Sequence, residues 1–189
     1  MLTDDARCLK EIKRRIILAK SAFTKLENIL KNVNMSMTTR MRVLNCYVYP
    51  VLMYGSEAWS LTSECARYLE SCEVWFLRRM LRISWTDRVT NEEVFRRANV
   101  KRKVLKEMRI RQLKFLGHMV RKDGLENLAL TGKIAGKRSR GRRRVMWMSS
   151  LDEWLAVNGV KQQGVHLLKK ARSRKLWQNM IANVRRYGT

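Results

Sequence analysis

A chain of 189 residues that is 46% hydrophobic can bury a core in one or two domains, but 41 Lys and Arg against 16 Asp and Glu leave it at +25. Self-repulsion of that size opposes compaction and favours an anionic partner, with nucleic acid first and an anionic membrane surface second. The longest uncharged apolar run, Val43 to Gly55, is shorter than the roughly 20 residues of a spanning helix and contains Pro50; the opening MLTDDARCLK is too polar for a signal peptide, so a nuclear or cytoplasmic protein is expected.

Residues 5–33 carry the clearest period. Leu9, Ile12, Ile16, Ala19, Phe23, Leu26, Leu30 and Val33 recur at alternating steps of three and four, which predicts one amphipathic helix. A second helical region runs from Met35 to Trp59, capped by Ser36 or Thr38, with Met37, Met41, Leu44, Val48 and Leu52 as its stripe. Residues 43–63 hold no Lys or Arg, so this segment is expected at the centre of the fold, with Tyr47, Tyr49, Tyr54 and Trp59 adding to the core. Pro50 should kink or break it. A third helix is expected from Thr62 or Ser63 to about Ile83, with Cys65, Leu69, Cys72, Phe76, Met80 and Ile83 inward and Arg78, Arg79 and Arg82 gathered at its end.

After a break at Ser84 to Arg88, Thr90 and Glu93 have capping-box spacing for a short helix ending near Asn99. A longer helix is expected from about Lys101 to Arg121, with Leu105, Met108, Gln112, Phe115, Leu116 and Met119 on one side and Lys103, Lys106, Arg109, Arg111 and Lys114 on the others. This pair is a helical hairpin, of which a helix-turn-helix is one form. Next comes GKIAGKRSRGRRR, Gly132 to Arg144, with seven Lys/Arg, three Gly and no acid. It can make neither a core nor a stiff helix, and is either a phosphate-contacting loop or a solvated linker of nuclear-import type. Val145 to Val157 and Gln163 to Arg186 read as the last helices, with Trp147, Leu151, Trp154 and Leu155 and then Leu168, Ala171, Leu176, Trp177, Met180, Ile181 and Val184 apolar. Strand-like alternation is almost absent, so the chain is expected to be all-α: a three-helix bundle, a helical hairpin, a basic Gly/Arg loop and C-terminal helices, divided as 1–86, 87–131, 132–144 and 145–189.

Chemistry-bearing motifs are scarce. Cys8, Cys46, Cys65 and Cys72 show no CxxC spacing, and only His118 and His166 could join them, so reduced thiols without zinc are expected. His118 ends the phrase FLGH, where capping a helix C-terminus explains it better than base catalysis. The glycines of the basic loop lack the preceding strand of a nucleotide cradle.

Several phrases, in order, resemble the C-terminal region of reverse transcriptases from non-LTR (LINE-type) retrotransposons. They are RMRVLNCYVYPVLMYG from Arg40 to Gly55, EAW from Glu57, RRMLRISWTDR from Arg78 to Arg88, NEEV from Asn91, FLGH from Phe115, GKIAGKRSRGR from Gly132 to Arg142, and Trp147. The departures are mild: Ser56 where the family often has Cys, Arg143 where it often has Pro, Ser173 where an acid is common. The resemblance implies a thumb, residues 9–83, lying along an RNA–DNA template–primer duplex, with residues 101–144 adding phosphate contacts. The nucleic-acid-binding set it points to is Arg78, Arg79, Arg82, Lys103, Lys106, Arg111, Lys114, Lys133, Lys137, Arg138, Arg140, Arg142, Arg143 and Arg144. The palm aspartates that hold two Mg²⁺ in such polymerases have no counterpart among Asp4, Asp5, Asp87, Asp123 and Asp152. The chain is therefore expected to bind RNA, DNA or their hybrid, and to partner the palm and fingers of the same polymerase. It should hold no cofactor and not catalyse alone. The competing expectation is a repurposed helical protein-interaction module whose basic loop serves nuclear import.

Overall fold

A computed structural model describes residues 8–122, 124, 125, 127, 147–157 and 165–187. Among these residues every regular element is helical and there is no strand, so the chain is all-α, as its periodicity predicts. It forms two compact units: Met1–Gly55 with Ser63–Leu105, and Ser56–Thr62 with Lys106–Thr189. Position 86, where the sequence suggested a division, falls inside the first unit; positions 131 and 144, the other two, lie outside the described residues.

The first unit begins with α1 (Leu9–Lys25), whose inward stripe Ile12, Ile16, Ala19 and Phe23 is buried as the period demands. The stripe does not continue unbroken to Val33. The helix stops at Leu26, the short α2 (Glu27–Leu30) comes next, and Val33 is 65% exposed while Leu30 stays in the core. Thr24 Oγ1 donates back to Lys20 O at 3.1 Å, a bond that bends helices, close to where α1 ends.

Ser36 caps α3 (Met37–Val43) by accepting from Thr39 N–H at 3.1 Å. Pro50 neither breaks nor simply kinks this helical region. A proline lacks an N–H and its ring crowds the carbonyl four residues earlier. Here the chain widens into a π-helical turn at Leu44–Val48, where Tyr49 N–H reaches Leu44 O, and resumes as α4 (Tyr49–Leu52) with Pro50 in its first turn. Of the four aromatics expected inside, Tyr49 and Trp59 are buried but Tyr47 and Tyr54 are exposed; Tyr54 instead lies under the Arg15 guanidinium, 4.3 Å from its ring centre.

α5 (Ser63–Met80) buries Cys65, Leu69, Cys72, Phe76 and Met80. Together with α4 it packs on α1. Phe23 stacks on Phe76 with centroids 5.4 Å apart, and Trp75 and Tyr49 meet this pair edge-on. Arg40 is buried beneath, donating to Met80 O at 2.8 Å and to Leu30 O at 3.4 Å, so one side chain closes the carbonyl ends of α5 and α2. α6 (Asn91–Ala98) starts at Thr90, which accepts from Glu93 N–H at 3.3 Å; the Glu93 carboxylate pairs with Arg96 and Arg97 rather than reaching back to the cap.

α7 (Val104–Arg121) starts three residues later than its pattern suggested, and the N–H groups at its start are accepted by a side chain of α5. The Glu73 carboxylate accepts Lys103 N–H at 3.1 Å and Val104 N–H at 3.5 Å. The rest of α7 belongs to the second unit. Ile110, Leu113, Leu116 and Val120 join Leu151, Leu155, Leu167, Trp177, Ile181 and Val184 in one core. The expected stripe holds in part: Met108, Gln112 and Leu116 are buried, but Phe115 is exposed, and Ile110, Leu113 and Val120, outside that stripe, are buried too. The later elements are α8 (Trp147–Val157), α9 (Val165–Arg172) and α10 (Arg174–Tyr187); the last expected helix is two, divided at Ser173, and Leu176 points outward.

Residues 56–62 join this second unit through their carbonyls. Gln112 Nε2 donates to Ser56 O at 3.2 Å and Trp59 O at 2.8 Å. Trp147 Nε1 donates to Glu57 O at 2.9 Å, and Ser150 Oγ to Leu61 O at 3.0 Å. Buried backbone carbonyls need such partners, and here three side chains supply them. Arg109 completes the network with bonds to Gln112 Oε1 at 3.0 Å and Ser150 Oγ at 2.8 Å. Burial pushes its guanidinium down to about 10, which leaves it a cation at neutral pH.

Candidate nucleic-acid interface

The C-terminal end of α5 is built around three arginines. Ile83 N–H reaches back to Arg78 O at 2.9 Å and Arg82 N–H to Arg79 O at 3.3 Å, the bond pair of a Schellman cap. Arg82 takes its left-handed position with φ +55°, where glycine is the usual residue. The next residues make a single 3₁₀ turn, Trp85–Asp87, closed by a capping box: Ser84 N–H donates to Asp87 Oδ2 at 2.7 Å and the Ser84 hydroxyl accepts from Thr86 N–H at 3.4 Å. Arg88 leaves the turn with φ +47°. Arg78 fastens the far side, donating to Val89 O and to Asn91 Oδ1 at 3.3 Å.

This folding leaves a cleft of about 890 Å³ lined by Lys31, Trp75, Arg78, Arg79, Arg82, Ile83, Ser84, Trp85 and Asn91. Four of the nine are cations and none is an acid. Lys31 is paired with Glu27 on its own turn, and Arg82 donates to Lys31 O at 3.1 Å. Arg79 is exposed and lies 5.0 Å from the Trp75 ring centre, which Lys20 also approaches to 5.0 Å. Trp85 is 93% exposed. A second cleft, of about 630 Å³, is lined by Arg78, Trp85, Thr86, Arg88 and Val89, so the Trp85 indole and Arg78 belong to both.

The other predicted contacts do not join this group as one set. Lys103 donates to Asn45 Oδ1 at 2.6 Å and lies over Tyr49, which gives it a structural task within the first unit. Arg111 faces Glu57 at 3.6 Å. Lys106 is half-buried in the first turn of α7. Lys114 lines a different cleft, of about 350 Å³ in the second unit, with Arg121, Arg174, Trp177, Gln178, Ile181, Ala182 and Arg185. There Arg121 also donates to Ala171 O at 2.8 Å and Arg185 pairs with Glu107 at 3.0 Å. Lys133, Lys137, Arg138, Arg140, Arg142, Arg143 and Arg144 lie outside the described residues.

Two features of the site are not evident from sequence pattern alone. Trp85 was legible only as part of a phrase, although Ser84-Trp-Thr-Asp87 has the spacing of a capping box that would hold it on a rigid turn. Lys31 joins the cleft through the packing of α2, which no local pattern announces. Away from the cleft, Glu73 is buried, and burial raises its carboxyl above the ordinary range against the opposing pull of the Lys103 and Val104 N–H groups. Among the described residues no three His, Cys, Asp or Glu side chains converge on a metal-sized space, and no helix is long and apolar enough to cross a membrane. No family model, curated protein or solved structure matches the chain.

Proposed function

We propose that this chain binds nucleic acid through its backbone phosphates, as the thumb and post-thumb part of an RNA-directed DNA polymerase of retrotransposon type. The observation that carries the reading is the cleft at the end of α5, where four cations and no carboxylate line a groove. The charge of +25 and the ordered phrases from Arg40 to Trp147 support it. Arginine suits this task because its planar fork gives two parallel bonds to one phosphate, and such contacts position a duplex while reading little sequence. In this reading the chain holds template and primer, and polymerisation belongs to a palm with its own metal-binding aspartates.

The test is a salt titration of binding to duplex DNA and to an RNA–DNA hybrid. Each neutralised phosphate should contribute about −0.9 to the slope of log K against log salt on duplex DNA. Replacing Arg79 and Arg82 by Ala should flatten the slope by about one to two units. Replacing Arg138, Arg140, Arg142, Arg143 and Arg144 by Ala should flatten it by several. Unchanged slopes in both variants would remove the phosphate-binding role.

A further inference from the structure

We infer that the cleft at the end of α5 takes one unpaired nucleotide, with its base stacked on the Trp85 indole and its phosphate held by Arg79 and Arg82. The inference rests on the nucleic-acid reading above and adds to it a preference for a single-stranded or frayed segment. A thumb lying along a duplex has no need of an exposed indole, because phosphates are met by cations alone. Here a large apolar ring is 93% exposed in a wall of the same groove that the cations line.

Two further features fix the backbone turn that carries the indole. Its turn is locked by the Ser84–Asp87 capping box on one side and by the bonds of Arg78 to Val89 O and Asn91 Oδ1 on the other. The turn also lies between two left-handed non-glycine residues, Arg82 at φ +55° and Arg88 at φ +47°. Such backbone is costly for a residue with a Cβ. A cheaper loop with glycine at both places would hold the turn that carries Trp85 less firmly. Trp75, half-buried beside Arg79 and Lys20, closes the other wall.

The chemistry of the lining selects the ligand. A flat apolar face beside guanidinium groups, with no carboxylate in the lining, suits a group that has a π-surface and an anion a short reach apart. A guanidinium carries five donors, more than the Arg82 bond to Lys31 O consumes. A cavity of about 890 Å³ is of the size that holds a small organic ligand. A paired base inside a duplex cannot offer its face, so the site discriminates by strandedness rather than by sequence.

The experiment compares three probes on the full chain at one salt concentration: a dT oligonucleotide, an abasic oligonucleotide of the same length, and a duplex of that length. The wild-type chain should bind the dT strand about fivefold or more tighter than the abasic strand, the range expected for one stacked base. Trp85→Ala should bring the dT strand down to the abasic level and leave duplex binding within about twofold. Trp85→Phe should keep most of the preference, because a phenyl ring still stacks. Trp85 is exposed, so these variants should keep the helical circular dichroism and melting temperature of the parent. If Trp85→Ala binds the dT strand as the parent does, or weakens dT and duplex alike, the stacking site is overturned while phosphate binding stands. If the wild-type chain binds none of the three probes at low salt, the wider nucleic-acid reading falls with it.

Discussion

At Gly117 two effects of opposite sign meet. A glycine inside α7 costs about 1 kcal/mol against alanine in helix propensity. A Cβ built there would lie 2.3 Å from Trp177 Nε1 and 2.5 Å from its Cδ1, and Trp177 is held by a 2.9 Å bond to Leu113 O. Overpacking against a pinned indole typically costs about 1–3 kcal/mol, so it wins. Gly117→Ala should lower the urea midpoint of unfolding, and Trp177→Phe in the same chain should recover part of the loss. Glu73 supplies a pH signature. Burial raises its carboxyl in the folded chain, so the folded state keeps the proton to higher pH than the unfolded one. Its contribution is complete below the unfolded value near 4.3 and is lost as pH rises through the raised folded value. Glu73→Gln should flatten that part of the stability profile, measured by denaturant titration from about pH 4 to about pH 7. A profile as steep as the parent's would show that other groups set it.

Element by element, the sequence was legible wherever a helix has one wet face and one dry one. The stripes of α1 and α5 appear where the period puts them, and Ser36 and Thr90 cap α3 and α6. Legibility failed where tertiary contact overrides the local pattern. α7 buries Ile110 and Val120 as well as Met108 and Leu116, so no single stripe describes it. The π turn before Pro50 was hidden because a proline announces a fault without saying how the chain will absorb it. For the interface, clustering of Arg78, Arg79 and Arg82 followed from helix spacing, but the entry of Lys31 and the exposure of Trp85 depend on packing distant in sequence. Segment 56–62 carries its own prediction. Gln112→Ala should leave the Ser56 and Trp59 carbonyls without their donor, at a cost of about 1–3 kcal/mol. Proton exchange and limited proteolysis should then rise first at residues 56–62, ahead of α1 and α5.

For the whole molecule, charge governs association. At +25 the chain should bind polyanions steeply better as salt falls, and the dependence should be shared between the cleft at the end of α5 and the Lys114 cleft, which lie in different units. Lys114→Ala combined with Arg174→Ala should therefore reduce the salt slope without altering the dT-over-abasic preference, whereas Trp85→Ala should do the reverse. The interleaving of the two units reaches further. The chain passes from one to the other at 55/56, returns at 62/63 and passes over again at 105/106. A genetic crossover exchanges one contiguous stretch, and neither unit is contiguous. A swap at 105/106 would keep residues 56–62 with the old first unit while replacing Gln112, Trp147 and Ser150, the side chains that donate to their carbonyls. The two units are thus tied as one heritable block, and a chimaera that keeps both working must carry the Ser56 to Leu61 strap and its three side-chain donors from the same parent.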